Sequence, residues 1–201
     1  MGKQAIRERV WSTLEEEGVA RFPFPVTGRI PNFAGAEEAA ERLAQTPEWA
    51  AAQTIKANPD SPQRPVRRLA LSAGKTVYMA VPRLRDPECF LRLDPTEIAD
   101  YDHATTIGGS AELGVQVGPT GVDPVDLIVA GSVAVTADGT RVGKGEGYSD
   151  LEYAVLRELS LVGPDTPLVT TVHDLQVVED DIEPADHDVP LDLVVTPTQT
   201  I

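Results

Sequence analysis

Asp126-Leu127-Ile128-Val129-Ala130 is an unbroken apolar run behind one carboxylate, and a second run, Val133-Ala134-Val135-Thr136, follows after only Gly131-Ser132. A strand with one face in water alternates apolar and polar residues, whereas a run without polar breaks reads as a strand covered on both faces, as in parallel sheets. The same texture recurs at 76–81, 168–172 and 191–196. Between these runs lie helical stretches: Val66, Leu69, Ala70 and Ala73 ahead of Gly74, a segment after Asp94-Pro95, and 149 to about 161. Alternating strands and helices predict an α/β fold of three layers, with a mostly parallel sheet and helices on both faces.

Working toward the N-terminus, Ile6, Val10 and Leu14 recur every four residues with charges between them, and Gly18 is placed to end the helix. Phe22-Pro23-Phe24-Pro25 and Arg29-Ile30-Pro31-Asn32-Phe33 predict a loop, because each proline pushes its predecessor out of the helical region. A second helix is expected over 35–45. A third starts at Thr46-Pro47-Glu48, with Thr46 as N-cap and Pro47 at the first helical position. Thr54-Ile55-Lys56-Ala57, ahead of Asn58-Pro59-Asp60, fits either a last helical turn or a short strand. No linker or internal repeat divides the chain, so one domain over 1–201 is expected.

The 201 residues are 41% hydrophobic and 24% charged, enough for a sizeable core. Thirty-two Asp and Glu against 17 Lys and Arg leave a net charge of −15. That field repels nucleic acid and anionic lipid over about a Debye length, roughly 8 Å at physiological salt, which disfavours both as partners. The lone Cys89 excludes a disulfide framework, and three scattered histidines offer no zinc-ligand spacing. No run approaches the roughly 18 apolar residues of a membrane span, so a cytoplasmic protein is expected. The acidic excess further suggests a high-salt cytoplasm and a halophilic archaeal source, where counterions screen a carboxylate-rich surface; an acidic mesophilic protein is the alternative.

The chemistry is concentrated in Thr140-Arg141-Val142-Gly143-Lys144-Gly145-Glu146-Gly147-Tyr148-Ser149-Asp150, after the Asp138-Gly139 turn and before a helix. Alternating glycines admit positive φ and bring backbone N–H groups close to a ligand, and the helix N-terminus adds partial positive charge. With Arg141 and Lys144, the loop has the makings of a phosphate cradle. It matches neither the P-loop nor the dinucleotide fingerprint, and a plain glycine-rich hairpin remains the alternative. Asp150 sits where a helix dipole favours a carboxylate, and is also a candidate Mg²⁺ ligand beside phosphates. A second carboxylate is available in Asp186-His187-Asp188. Lys3 and Arg7, four apart, share a face of the first helix.

Together, Lys3-x-x-x-Arg7, Gly74-Lys75 before a strand ending in Val81-Pro82-Arg83-Leu84, the 126–129 run, and Arg141-x-Gly143-x-Gly145-x-Gly147-Tyr148-x-Asp150 resemble the 5-formyltetrahydrofolate cyclo-ligase family. The likeness is greatest to its methenyltetrahydrofolate synthetase domain-containing type, through Arg29–Phe33, Asn58-Pro59-Asp60-Ser61-Pro62-Gln63-Arg64, Gly131-Ser132-Val133 and Val172-His173-Asp174, and it covers essentially the whole chain. The resemblance implies a fold related to ribose-phosphate isomerases and CoA-transferases, and an ATP-driven ring closure. In that reaction ATP phosphorylates the formyl oxygen of 5-formyltetrahydrofolate, N10 attacks the activated carbon, and phosphate leaves, giving 5,10-methenyltetrahydrofolate, ADP and phosphate.

By position, the resemblance assigns ATP to Lys3, Arg7, Arg141, Gly143, Lys144, Gly145, Glu146, Gly147 and Tyr148, and Mg²⁺ to Asp150 and Asp188. It assigns the folate to Gln63, Arg67 and Tyr148. The folate side departs from the family: a substrate-binding glutamate is replaced within Gln63-Arg64-Pro65-Val66-Arg67, Gly118-Pro119 stands for Glu-Pro, and Ser149 stands for a second tyrosine. The alternative function is therefore a nucleotide-binding regulatory module that has lost catalysis. RNA association is not expected, since the chain has no basic strands bearing stacking aromatics. A monomer or small homo-oligomer is expected.

Overall fold

The computed structural model describes residues 2–80, 88–185 and 188–201. Helix α1 (Lys3–Glu16) buries Ile6, Val10, Trp11 and Leu14 along one stripe and ends before Gly18, whose φ of +67° suits glycine. The proline-rich loop is closed by a two-residue ribbon, β1 (Ala20–Arg21) against β2 (Asn32–Phe33). Helices α2 (Ala36–Leu43) and α3 (Pro47–Ala51) follow, the latter capped by Thr46, whose hydroxyl accepts from the Trp49 N–H at 3.3 Å.

Next come β3 (Thr54–Ala57), one turn of 3-10 helix (Ser61–Gln63), α4 (Arg64–Ser72) and β4 (Thr76–Ala80). Beyond them are β5 (Phe90–Leu93), α5 (Tyr101–Ala104), α6 (Ile107–Leu113), β6 (Val115–Val117), β7 (Leu127–Ala130), β8 (Ala134–Val135) and β9 (Arg141–Val142). Helix α7 (Tyr148–Glu158), β10 (Leu168–Thr171) and β11 (Leu193–Val195) complete the order.

The central sheet runs β11-β10-β7-β3-β4-β5-β6. Its first five strands are parallel, and β5 and β6 extend it antiparallel at one edge. Alternate residues of each strand serve opposite layers. Ile55, Val77, Leu127 and Val129 pack with Leu43, Val66 and Leu71 of α2 and α4, while Tyr78, Ile128 and Val194 pack with Leu156 of α7. Each such side chain contributes about 1.5–3 kcal/mol through removal from water. This is the α/β architecture the apolar runs predict.

Two expectations need correction, and one open alternative is resolved. The segment after Asp94-Pro95 is two short helices, because the Asp94 carboxylate accepts from the Thr96 N–H at 2.9 Å and holds a turn. Helix then begins only behind Asp100, which accepts from the His103 N–H at 3.0 Å. The run at 133–136 is buried but leaves the central sheet, pairing β8 with β9; its apolar character serves contact with Ile6, Val10 and Leu14 of α1. Thr54-Ile55-Lys56-Ala57 is a strand, and it lies at the centre of the sheet. Val81-Pro82-Arg83-Leu84, Asp186 and His187 lie outside the described residues.

From β3 the chain moves to β4 on one side, then returns to β7, β10 and β11 on the other. The strand order therefore reverses between β3 and β7. The carboxyl ends of the strands at such a reversal leave a crevice in which α/β proteins hold ligands.

Candidate active site

Asn58 follows β3 and Gly131 follows β7, and the two strands are joined there by the Asn58 N–H donating to the Val129 carbonyl at 3.1 Å. Above this junction lies a cleft of about 300 Å³. Residues 141–150, Lys3, Arg7, Ile30, Asn58, Asp60, Ala185 and Asp188 line it. Thus α1 brings Lys3 and Arg7 to the glycine loop: Arg7 Nε donates to the Gly143 carbonyl at 2.7 Å. At Gly145 a Cβ would make ordinary contact with Arg7 Cζ at 3.5 Å, and it is the backbone φ of +105° that calls for glycine. Gly147, φ +71°, turns the chain into α7.

The cations of the cleft are each held by the protein. Lys3 Nζ is 2.5 Å from Asp188, Arg141 is 2.8 Å from Asp150, and Lys144 is 2.9 Å from Glu146. Arg141 also donates to the Gly131 carbonyl at 3.1 Å. The cleft is thus close to electroneutral in spite of its four basic residues. An entering polyanion would compete for these cations and release Asp150 and Asp188, two carboxylates suited to a divalent cation. Among the described residues no cluster of three or more His, Cys, Asp or Glu could hold a metal by itself. Two carboxylates with phosphate oxygens and water are nevertheless a usual Mg²⁺ environment.

Asp60 was not singled out in the sequence, yet it lines the cleft without an ion pair or hydrogen bond to its carboxylate among the described residues. Burial pushes it above the usual carboxylate range, against the pull of Lys144 and Arg67. Its backbone is clamped: Arg67 donates to the carbonyls of Asn58 at 2.5 Å and Asp60 at 3.0 Å, and to Thr105 at 3.0 Å. Arg67 is fully buried, and burial pulls its guanidinium down to about 9, still charged at neutral pH.

Gln63 and Arg67, assigned to the folate by resemblance, are therefore not brought into the cleft. Gln63 is wholly buried, its amide nitrogen 3.4 Å from Thr171 and its oxygen, beneath Gly131, without a hydrogen-bond partner among the described residues. Tyr148 does line the cleft and is half exposed.

A further network lies just below. Lys56 projects from the central strand into an ion pair with Glu152 of α7 and donates to Asn58 Oδ1 at 3.0 Å. Asn58 in turn donates to Ser149 Oγ at 2.9 Å. This chain of bonds ties the first turn of α7, and with it Asp150, to the sheet. Lys56 between Ile55 and Ala57 was the available signal, a lysine inside an apolar strand, but only the packing of α7 supplies its partner.

A family model described as the 5-formyltetrahydrofolate cyclo-ligase family matches residues 2–197. The chain belongs to this family. The methenyltetrahydrofolate synthase domain-containing proteins of mouse, cattle and human are 46%, 44% and 41% identical to it, each covering 100% of this chain. The chain spans about half of their length: 55%, 54% and 53% respectively. These curated relatives are animal proteins and lend no support to an archaeal source.

The fold is shared with an NMR structure of Aquifex aeolicus 5,10-methenyltetrahydrofolate synthetase, with TM-score 0.62 and 23% identity, covering 100% of this chain and 92% of that one. It is also shared with a Mycoplasma pneumoniae 5,10-methenyltetrahydrofolate synthetase, with TM-score 0.53 and 16% identity, covering 97% and 98%.

Proposed function

We propose that this cyclo-ligase family member converts 5-formyltetrahydrofolate to 5,10-methenyltetrahydrofolate, with ATP converted to ADP and phosphate. The observation that carries the reading is the convergence of Lys3, Arg7, Arg141 and Lys144 on a glycine loop at the sheet's reversal point. Phosphoryl transfer needs positioned charge more than covalent help from the protein. In this reading the four cations and the loop N–H groups take the triphosphate. The formyl oxygen attacks the γ-phosphorus as ADP leaves; N10 then attacks the formyl carbon, loses its proton, and phosphate departs.

Asp150 and Asp188 would hold Mg²⁺, which supplies further neutralisation of phosphate charge. The folate's N–H donors would meet Asp60, the cleft carboxylate with no ion pair among the described residues. That places the substrate-facing carboxylate three positions before Gln63, and accounts for the amide there. No helix among the described residues is long and apolar enough to cross a membrane; the cytoplasmic setting is part of the proposal. We extend the reading to a single domain over 1–201, a monomer or small homo-oligomer without nucleic-acid partners, and an acidic surface suited to high salt.

Absorbance of the methenyl product, followed with pure protein, ATP, Mg²⁺ and 5-formyltetrahydrofolate at both low and molar salt, tests the reading; no product at either salt overturns it. A second reading, nucleotide binding without turnover, draws on the burial of Gln63 and Arg67 away from the cleft. Calorimetry that finds ATP binding but no folate turnover would select it.

A further inference from the structure

The two edges of the central sheet are finished differently. At β11 the chain covers its own edge: the Val194 N–H donates to the Ile201 carbonyl at 2.9 Å, the Ile201 N–H donates back to Val194 at 2.8 Å, and the Thr196 N–H donates to Gln199 at 2.8 Å. At the opposite edge, β6 pairs with β5 on its inner side, and among the described residues no backbone group pairs with its outer side. A strand in that position presents a row of unsatisfied N–H and C=O groups, which natural sheets protect with charge, proline, a bulge or a covering segment.

Among the described residues β6 has none of these. Its register with β5 is unbroken, Phe90 to Val117, Leu91 to Gln116 and Arg92 to Val115. Gly114-Val115-Gln116-Val117-Gly118 holds no charged residue in a chain of net charge −15, and proline comes only at Pro119, where pairing would end. Leu113 and Val115 are 39% and 44% exposed. The five residues 114–118 also read the same in both directions. A two-fold contact between identical chains requires a surface complementary to itself. With the axis at Gln116, antiparallel pairing sets Val115 against Val117, Gly114 against Gly118 and Gln116 against its own copy, and no charge in the strand faces a like charge. Only a second copy of this chain makes use of that symmetry.

We propose that β6 is a self-association edge, at which two copies of this chain join their central sheets antiparallel about Gln116. The net charge of each copy opposes the contact, and screening by salt favours it. β6 lies three strands from β3, roughly 14 Å at about 4.8 Å per strand, so the phosphate cleft of each copy stays open. The pairing is independent of which reaction that cleft performs.

Sedimentation equilibrium of the full chain at about 0.1 and 1 M KCl measures the contact. Wild type is expected to dimerise reversibly, more tightly at the higher salt. Gln116→Lys and Gln116→Glu place like charges opposite each other at the axis and should each weaken the dimer at least about tenfold. An equimolar mixture of the two variants should regain it at the lower salt, and ATP affinity should be unchanged in both. Wild type that stays monomeric up to about 1 mM at both salts overturns the proposal. So does a dimer that both variants form as well as wild type, or a mixture no tighter than its components. Hydrogen exchange gives a reading without substitution: the amides of 115–117 should be better protected in concentrated than in dilute wild type. Equal protection overturns the proposal even where a variant fails to fold.

Discussion

The ion pair of Lys56 with Glu152 supports a quantitative prediction about how the site is held. The two side chains are 3% and 7% exposed, and Lys56 also satisfies Asn58 Oδ1 at 3.0 Å. Lys56→Met leaves a carboxylate in the interior without its cation and an amide oxygen without its donor. Removing one partner of a buried pair costs about 3–5 kcal/mol, a large share of the roughly 5–15 kcal/mol that holds a domain together. For a chain of this size the expected fall in Tm is about 2–4 °C per kcal/mol, hence about 6–20 °C. Glu152→Leu, which strands the ammonium, should cost a similar amount.

The double variant Lys56→Met/Glu152→Leu removes both charges and the desolvation they suffer, so its stability should return to within about 2 kcal/mol of wild type or exceed it. Urea unfolding of all four proteins measures the cycle, with constant m-values as the sign that two-state behaviour persists. Single variants that lose less than about 1 kcal/mol, or a double variant whose loss is the sum of the two, would refute the argument that this pair is coupled and desolvated. The double variant also separates positioning from folding: with Asn58 and Ser149 released from Lys56 and Glu152, it should remain folded yet bind ATP more weakly.

Three further predictions concern the cleft. Lys144→Ala and Asp150→Ala should each weaken Mg²⁺-ATP binding by about tenfold, and only Asp150→Ala should recover part of that loss with metal-free ATP, because it frees Arg141; unchanged calorimetric affinity in both variants would make the loop structural. Asp60→Asn should raise Tm at pH 7 while raising the KM for folate. Since burial raises the folded-state pKa of Asp60, wild type loses stability as pH climbs from the ordinary carboxylate value, about 3.9, through the raised one, so the variant's advantage should vanish below about pH 4. An advantage independent of pH in thermal melts would contradict this. Finally, raising KCl from about 0.1 to 1 M shortens the Debye length from about 10 to 3 Å, so a chain of charge −15 should gain Tm; a fall would argue against net surface repulsion.

Some parts of the molecule were legible from local chemistry. The runs at 126–130 and 168–172 carry the demand of burial on both faces, which only a covered sheet meets. Thr46-Pro47 and Gly18 mark helix boundaries through hydrogen bonding and φ preference, effects that act within a few residues. Gly143, Gly145 and Gly147, with Arg141 and Lys144, describe the loop because its backbone freedom and charge are contiguous in the chain. Lys3 and Arg7 were less legible from their own surroundings. Two cations on one helix face are ordinary, and their meaning comes from the docking of α1 against β8 and β9, which carries Arg7 to Gly143.

Gln63 and Arg67 show the opposite limit. A polar residue near a glycine-rich site looks like a ligand contact until packing shows which way it faces. Here the 3-10 turn faces Gln63 inward and α4 faces Arg67 inward, so that Arg67 binds backbone carbonyls and Asp60, three residues before Gln63, occupies the cleft instead. The Val133–Thr136 run likewise announced burial but not its partner.

By itself, then, the sequence determined the fold class and the glycine loop, since solvent avoidance, helix capping and glycine torsions are properties of short segments. The tertiary structure alone decided that Asp60 faces the cleft and that Lys56 meets Glu152. Each of these depends on juxtaposing residues distant in the chain, and a side chain's chemistry is set by the charges and burial that its neighbours in space impose.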